Sequence, residues 1–216
     1  MSRVPALALI VLSWSTAVHA AELRGRVVAS DGTGVAGAVV FVRTPLPAPP
    51  AAGAPRQSAV MDQIDKQFVP RVLPIAVGTE VRFPNHDQIH HHVYSFSRVK
   101  TFDLPLSKGE EAPPVVFDQP GVVKVGCNIH DWMMGVILVV PSAAFTTTDD
   151  GGAFTLRDLP DGEVTIGAWH EASETAIDAA TQRLTIGAAP PSDLTFTLAV
   201  RPDKARPAVH GGRGNP

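Results

Sequence analysis

The sequence predicts an all-β protein, and three observations support this class. Glycine and proline, which interrupt helices and form turns, account for 18 and 20 of the 216 residues. Short valine-rich runs alternate apolar with polar residues, which is the period of a half-buried strand. Few segments show the apolar spacing of a helix. Between residues 58 and 141 the runs are short and closely spaced, which predicts a Greek-key sandwich.

The N-terminus predicts export to the periplasm. Arg3 precedes the apolar run VPALALIVL and the small residues STAVHA, which is the order of a secretory signal peptide, here residues 1–20. The run is too short for a permanent anchor. The single cysteine, Cys127, lies too far downstream to carry a lipid at the mature N-terminus. We therefore expect no stable membrane anchor.

The charge balance gives no sign of a polyanionic partner. The chain has 18 Lys and Arg against 21 Asp and Glu, a formal net charge of −3. It has no basic patch of the kind that binds nucleic acid. We expect a monomer with no nucleic-acid partner.

Segments rich in proline and glycine divide the chain. Residues 44–57, TPLPAPPAAGAPRQ, predict a linker, because proline cannot donate to a sheet ladder. Residues 201–216 predict a disordered tail. Turns are predicted at Ser30–Gly34, between two strands, and later at Asp150–Gly152 and Pro160–Gly162.

Two blocks on either side of the centre resemble halves of one domain. Gly25–Val40 and Thr148–Gly162 resemble the opening and closing patterns of the carboxypeptidase regulatory-like, or transthyretin-like, domain. The resemblance implies a small β-sandwich built from residues 22–43 and 142–200 and interrupted by a second domain, residues 58–141. A fold of this kind implies no activity by itself.

Three consecutive histidines, His90–His92, precede the predicted strand VYSFS in the central segment. Side chains alternate between the two faces of a strand. If Val93 and Ser95 point inward, His91 points inward as well, and its two histidine neighbours point away. His91 is therefore the candidate ligand of the three.

The cysteine ends another predicted strand. GVVKVGC is followed by a tight loop, NIHDWM, and by the returning strand GVILVV. This arrangement brings Cys127, His130 and Met133 to one end of the sandwich, where His91 can join them. A thiolate, two imidazoles and a weakly held thioether form a type 1, or blue, copper site. We therefore predict one copper ion bound by these four residues.

The same segments resemble the cupredoxin family over about residues 60–141. FPNHDQIHHHV resembles the copper-histidine loop of that family, with His91 in the ligand position, and CNIHDWM resembles the short ligand loop of amicyanin. The whole chain resembles bacterial proteins labelled methylamine utilization protein, or plastocyanin-like. The resemblance implies a cupredoxin sandwich beside the transthyretin-like one. It also implies that Asn85 hydrogen-bonds across to the cysteine loop.

Some assignments stay open at this point. Met134 adjoins Met133, although strand alternation and the amicyanin-like spacing favour Met133 as the axial ligand. His86, His90 and His92 are either solvated or hydrogen-bonded loop residues, or a second, weaker copper site.

Other residues near the motifs allow a structural or a functional interpretation. Trp132 and Met134 form either an apolar collar around the exposed edge of His130 or part of the core. The run Trp169–Glu171 is interpreted as structural, because nothing in its block completes a nucleophile or a metal set.

The ligand set predicts an electron-transfer protein and not an enzyme. Copper held in a fixed site passes single electrons between a donor and an acceptor redox protein, neither of which the sequence identifies. The extra histidines leave open a copper carrier or sensor without a redox role. A copper enzyme is disfavoured, because Gly126 and Asn128, and not histidines, flank Cys127.

Overall fold

The computed structural model describes residues 21–44, 56–106, 112–159, 161–173, 180–187 and 193–201. The predicted signal peptide, residues 45–55 of the predicted linker and residues 202–216 of the predicted tail lie outside these ranges. The described residues form strands without a helix, which confirms the all-β class. Accordingly, none of these segments contains an apolar helix of membrane-spanning length.

Seventeen strands are described, and most of them are short. They are β1 (Ala21–Ala29), β2 (Val39–Val42), β3 (Ser58–Val60), β4 (Asp62–Ile64), β5 (Gln67–Val69), β6 (Val72–Ala76), β7 (Glu80–Arg82), β8 (His91–Ser97), β9 (Lys100–Leu106), β10 (Val115–Val116), β11 (Gly121–Cys127), β12 (His130–Val140), β13 (Phe145–Thr147), β14 (Ala153–Leu159), β15 (Gly162–Trp169), β16 (Thr181–Ile186) and β17 (Leu194–Leu198).

A first pair of sheets combines strands from both ends of the chain. One sheet has the order β14-β1-β17 and the other the order β13-β2-β15-β16. Alternate residues of the two sheets meet in one apolar core, where Leu23, Val40 and Ile166 are fully buried. Burying a side chain of this size contributes about 1.5–3 kcal/mol. We call this cluster the outer core.

A second pair of sheets is built from the middle of the chain. Its sheets have the orders β10-β7-β3 and β6-β12-β11-β8-β9, and β4 and β5 form a separate hairpin. Phe83, Phe117, Val123 and Ile137 are buried between them. The chain crosses between the two sheets from β6 to β7, from β7 to β8, and again on either side of β10. These crossings are those of a Greek-key sandwich. We call this cluster the inner core.

The two sandwiches pack sheet against sheet through a third apolar cluster. It consists of Val39, Phe41, Leu138, Val140 and Trp169, all buried. Because side chains alternate along a strand, β2 and β12 each serve this cluster with one face and a sandwich core with the other. At its edge the Arg71 guanidinium donates to both carboxylate oxygens of Glu171, at 2.8–3.0 Å. Trp169 and Glu171 therefore have the structural roles that the sequence favoured.

The chain leaves and re-enters the outer core at neighbouring points. The Ser142 hydroxyl donates to the carbonyl oxygen of Val42 at 3.1 Å, and the amide of Val42 donates to the carbonyl of Ala144 at 2.9 Å. All strands of the inner core lie between these points in sequence. The division of the chain into an interrupted transthyretin-like domain and an inserted domain stays a prediction.

Two details of the predicted elements differ from the structure. The first two strands, β1 and β2, are joined by the predicted turn but belong to opposite sheets, and only a short bridge between Val28 and Gly34 connects that region. In the central segment the alternation and turns predict strands near residues 58–64, 72–77, 81–84, 92–96, 115–117, 122–125 and 136–140, so β5 and β9 of this segment were not predicted. Strand β9 contains Pro105, which is tolerated because β9 lies at the edge of its sheet.

Candidate metal centre

His91 begins β8 and points into the inner core. Val93 and Ser95, on the same face of the strand, are fully buried, and His91 is 2% exposed. His90 is exposed and His92 lies on the opposite face of the strand. The inward orientation expected from strand alternation is therefore correct.

The cysteine segment is tighter than predicted. Asn128 and Ile129 alone form the turn, and β12 already begins at His130, so the expectation of a loop over residues 128–133 was wrong. Cys127 pairs with His130 across the turn, whereas Gly126 pairs with Met134. The residues between His130 and Met134 thus form a bulge, which keeps β12 in register while His130 stays beside the cysteine.

The side chains of His91, Cys127 and His130 converge. The Cys127 sulfur lies 3.6 Å from His91 Nδ1 and 3.6 Å from His130 Nδ1. The two imidazole rings stand edge to face, with centroids 5.1 Å apart. All three donor atoms lie within 4.8 Å of one another.

These distances fit three ligands that share one metal ion. With the bond lengths that zinc makes, about 2.0–2.1 Å to imidazole and 2.3 Å to thiolate, a shared ion requires sulfur-to-nitrogen separations of about 3.5–3.8 Å for angles between tetrahedral and trigonal. Both observed separations are 3.6 Å. The donor chemistry, one soft thiolate and two imidazoles, suits copper. The residues therefore fit the predicted metal.

The two adjacent methionines differ sharply in environment. Met133 is 0% exposed and belongs to the inner core together with Cys127. Met134 is 42% exposed and lines a shallow surface groove with Tyr94 and Phe96. Of the two, only Met133 points toward the face of the sheet on which Cys127 lies. Burial therefore favours Met133 over Met134 as the axial ligand. Its role as the axial ligand stays a prediction.

Asp87 is a functional candidate that the sequence did not reveal. Its carboxylate accepts a hydrogen bond from Nε2 of His91 at 2.7 Å. It also accepts the backbone amides of Asp65 at 2.6 Å and Lys66 at 2.8 Å, at the tip of the β4–β5 hairpin. Burial opposes ionisation, but the bonds from Lys66, His91 and Asp65 keep the pKa of the Asp87 carboxyl below its usual range. The spacing of four residues between Asp87 and His91 is the sequence feature that could have indicated this contact.

Asn85 organises its own loop. Its side-chain amide nitrogen donates to the carbonyl of Ile89 at 2.9 Å, and its side-chain oxygen accepts the amide of Asp87 at 3.0 Å. The expectation that Asn85 bonds across to the cysteine loop was therefore wrong. The backbone makes that connection instead, since the Asn128 amide donates to the carbonyl of His92 at 3.0 Å.

The remaining histidines of this segment do not join the cluster. His86 Nδ1 lies 2.7 Å from a carboxylate oxygen of Asp62, and His92 Nε2 contacts the carboxylate of Asp103. Each of these pairs is a surface contact. Among the described residues no second group of three or more metal-binding side chains occurs.

His130 lies between the buried cysteine and the surface. Its ring is 5.2 Å, centroid to centroid, from that of Trp132, which is 53% exposed, and Ile129 beside it is also exposed. Burial lowers the pKa of His130, and the nearby His91 and Lys66 add to this effect. A neutral imidazole is the form that binds a metal.

Comparison with solved structures finds several copper proteins. A purple cupredoxin from Nitrosopumilus maritimus matches with 26% identity over 38% of this chain and 98% of that chain, with a TM-score of 0.34. A reduced amicyanin variant matches with 23% identity over 46% of this chain and 97% of that chain, with a TM-score of 0.36.

A copper-containing nitrite reductase from Thermus scotoductus matches with 29% identity and a TM-score of 0.37. That match covers 45% of this chain but only 26% of the nitrite reductase. No family profile and no curated protein matches the sequence. All three TM-scores are below 0.4, so these matches carry no functional conclusion for this chain.

Proposed function

We propose that this protein holds one metal ion in a mononuclear site made by His91, Cys127, His130 and Met133. The observation that carries the proposal is the pair of equal distances, 3.6 Å, from the Cys127 sulfur to the ring nitrogens of His91 and His130. Two imidazoles aimed at one thiolate from separate strands form a chelate, and the buried Met133 supplies a weak fourth donor.

Within this class, the particular protein we propose is a type 1 copper protein that carries single electrons. Copper bound to such donors passes between Cu(II) and Cu(I) by gaining or losing one electron, with no bond made or broken in the protein. Thiolate and thioether suit Cu(I), and imidazole suits both oxidation states. We propose no catalytic role, so no substrate has to reach the metal.

The fold supports this role because it fixes the ligands before the metal arrives. Cys127 pairs with Val93 on β8 and with His130 on β12, so its sulfur has little freedom to move. His91 is held in the core. Small rearrangement between oxidation states is what makes electron transfer fast. The ring of His130 lies beside that of the exposed Trp132, and this side is where we propose that a redox partner approaches.

We further propose that the protein works in the periplasm as a monomer, between a donor and an acceptor redox protein. The order of residue types in residues 1–20 supports export. We also propose a link to proteins labelled methylamine utilization protein, which rests on the resemblance of segments such as GCNIHDWM. We propose that both partners are redox proteins, and experiments have to identify them.

Copper reconstitution of the mature protein tests the proposed function. We expect an intense blue or purple colour from thiolate-to-copper charge transfer, which is lost in Cys127→Ser and kept in His90→Ala, a change to an exposed neighbouring histidine. A colourless Cu(II) complex in the wild-type protein would exclude a type 1 site.

A second measurement distinguishes the electron carrier from a copper carrier or sensor. We expect electron self-exchange between Cu(I) and Cu(II) protein to be rapid and reversible. Coloured protein that releases copper on reduction, or that exchanges electrons only slowly, would instead indicate the role of a copper carrier or sensor.

A further inference from the structure

The carboxylate of Asp87 collects three hydrogen bonds from two separate parts of the chain. One oxygen accepts Nε2 of His91 at 2.7 Å and the amide of Lys66 at 2.8 Å, and the other accepts the amide of Asp65 at 2.6 Å. The His91 side chain is fully buried and that of Asp87 is 10% exposed. Water therefore competes little for the bond to His91, and all three bonds are charge-assisted because the acceptor is a carboxylate.

The bond to Asp87 decides which nitrogen of His91 is free. An ionised carboxylate only accepts hydrogen bonds, so Nε2 of His91 carries the hydrogen. In the neutral ring the lone pair is then on Nδ1, the atom that lies 3.6 Å from the Cys127 sulfur. The same bond fixes the rotation of the ring about its bond to Cβ.

The tip of the β4–β5 hairpin provides a rigid support for Asp87. Asp65 and Lys66 have φ values of 52° and 57°, the backbone conformation of a two-residue type I′ turn, which turns both amides outward. Residues other than glycine adopt this conformation only where the surroundings stabilise it, and the two bonds to Asp87 do so.

The hairpin is in turn fastened to the inner core. The Gln63 side chain donates to the carbonyl oxygens of Phe83 and Pro84 at 3.3 and 3.0 Å. Phe68 packs so closely on Gly135 of β12 that a Cβ added to the glycine would approach it to 3.1 Å. The hairpin is thus held by two other elements of the sandwich.

We propose that Asp87 is a positioning residue of the metal site, and that through it the β4–β5 hairpin holds His91 in the tautomer and orientation required of a ligand. This role rests on the proposed function, because it gives His91 a metal to bind. Residues that orient metal-binding histidines typically contribute about 10–100-fold to metal affinity.

Two variants of Asp87 and one matched control test the proposal. Asp87→Asn keeps the shape but has only one accepting oxygen for three donors, and Asp87→Ala removes every acceptor. Asp103→Asn is the control, because it removes the same charge from the carboxylate that contacts the neighbouring, outward-facing His92. Copper affinity, measured by competition with a chelator, should fall about 10–100-fold in both Asp87 variants and stay unchanged in the control.

Nitrogen NMR of the metal-free protein gives a readout that needs no copper. In the wild-type protein and in Asp103→Asn we expect His91 to be protonated at Nε2, with a slowly exchanging proton. In Asp87→Asn that proton should exchange faster and the Nδ1 tautomer should appear. The reduction potential of copper-loaded Asp87→Asn should also rise, because a nearby negative charge no longer stabilises Cu(II).

Wild-type His91 protonated at Nδ1, or Asp87 variants with wild-type affinity and spectrum, would overturn the proposal. The wild-type NMR measurement decides the matter even where Asp87→Ala fails to fold. A chain that shows the expected tautomer but gives no coloured copper complex would contradict the proposed electron-transfer function and leave the positioning of His91 by Asp87 intact.

Discussion

The ring of Trp132 lies 5.2 Å from that of His130, at an interplanar angle of 58°. Trp132 is half exposed, whereas the other tryptophan of the described chain, Trp169, is buried between the two sandwiches. One tryptophan therefore adjoins the candidate metal ligands, and the other belongs to a different part of the molecule.

Copper should quench the fluorescence of Trp132 and leave most of that of Trp169. The reason is proximity, since energy and electron transfer to Cu(II) fall steeply with distance. We expect the signal of Trp132→Phe to be nearly insensitive to copper, and that of Trp169→Phe to be quenched strongly. Equal quenching in both variants would contradict the placement of the metal beside His130.

The two methionines should respond differently to replacement by leucine. Leucine conserves apolar volume, so Met133→Leu should lower the free energy of unfolding by less than about 1.5 kcal/mol. It should nevertheless raise the reduction potential and alter the charge-transfer spectrum, because the thioether is lost. Met134→Leu, at the half-exposed neighbouring position, should leave both unchanged. The opposite pattern would make Met134 the ligand.

Replacement of Gly126 should disturb the strand that ends at Cys127. A Cβ at this position would meet the Tyr94 ring at 3.0 Å, so Gly126→Ala should destabilise the protein by about 1–3 kcal/mol. Gly187→Ala is the control, because a Cβ there would meet nothing within 4 Å.

The effect of Gly126→Ala should shrink when Tyr94 is first replaced by alanine, which removes the ring. The two changes are therefore expected to be non-additive in denaturant unfolding. Additive effects would show that the cost of Gly126→Ala does not arise from its contact with Tyr94.

Packing between the two sandwiches should depend on apolar contacts and very little on the ion pair at their edge. Leu138→Ala removes a fully buried side chain of the shared cluster and should cost about 2–5 kcal/mol. Arg71→Ala breaks the partly exposed pair with Glu171 and should cost about 0–1 kcal/mol. Denaturant unfolding of the two variants compares them directly, and similar costs would argue against close packing of these sheets.

The candidate site was predictable where it depended on short-range patterns. Strand alternation through Val93 and Ser95 was enough to place His91 inward. The spacing from Cys127 to His130 lies within one turn between paired strands, so it brings the two side chains together. The buried and exposed positions of Met133 and Met134 follow from the same alternation along β12.

The rest depended on contacts between distant segments. The β4–β5 hairpin contacts Asp87 only because the folded sandwich brings the two segments together. The sequence QIDKQ of the hairpin contains no local pattern that predicts this contact. The loop after Cys127 was predicted too long because a bulge in β12 cannot be distinguished from a loop in one sequence. Strand β9 was missed because Pro105 argues against a strand unless the strand is known to lie at an edge.

The hydrogen bond from Ser142 to the carbonyl of Val42 bears on how such a chain can be assembled and altered. When the two ends of an inserted segment lie close together, the segment can be exchanged for another without changing the path of the surrounding chain. The new segment would need only an apolar surface that packs on Val39 and Phe41, as Leu138 and Val140 do here. Under the predicted division into an outer domain and an insert, the region between Val42 and Ser142 is a natural grafting position, where another domain could be fused to the same outer sandwich.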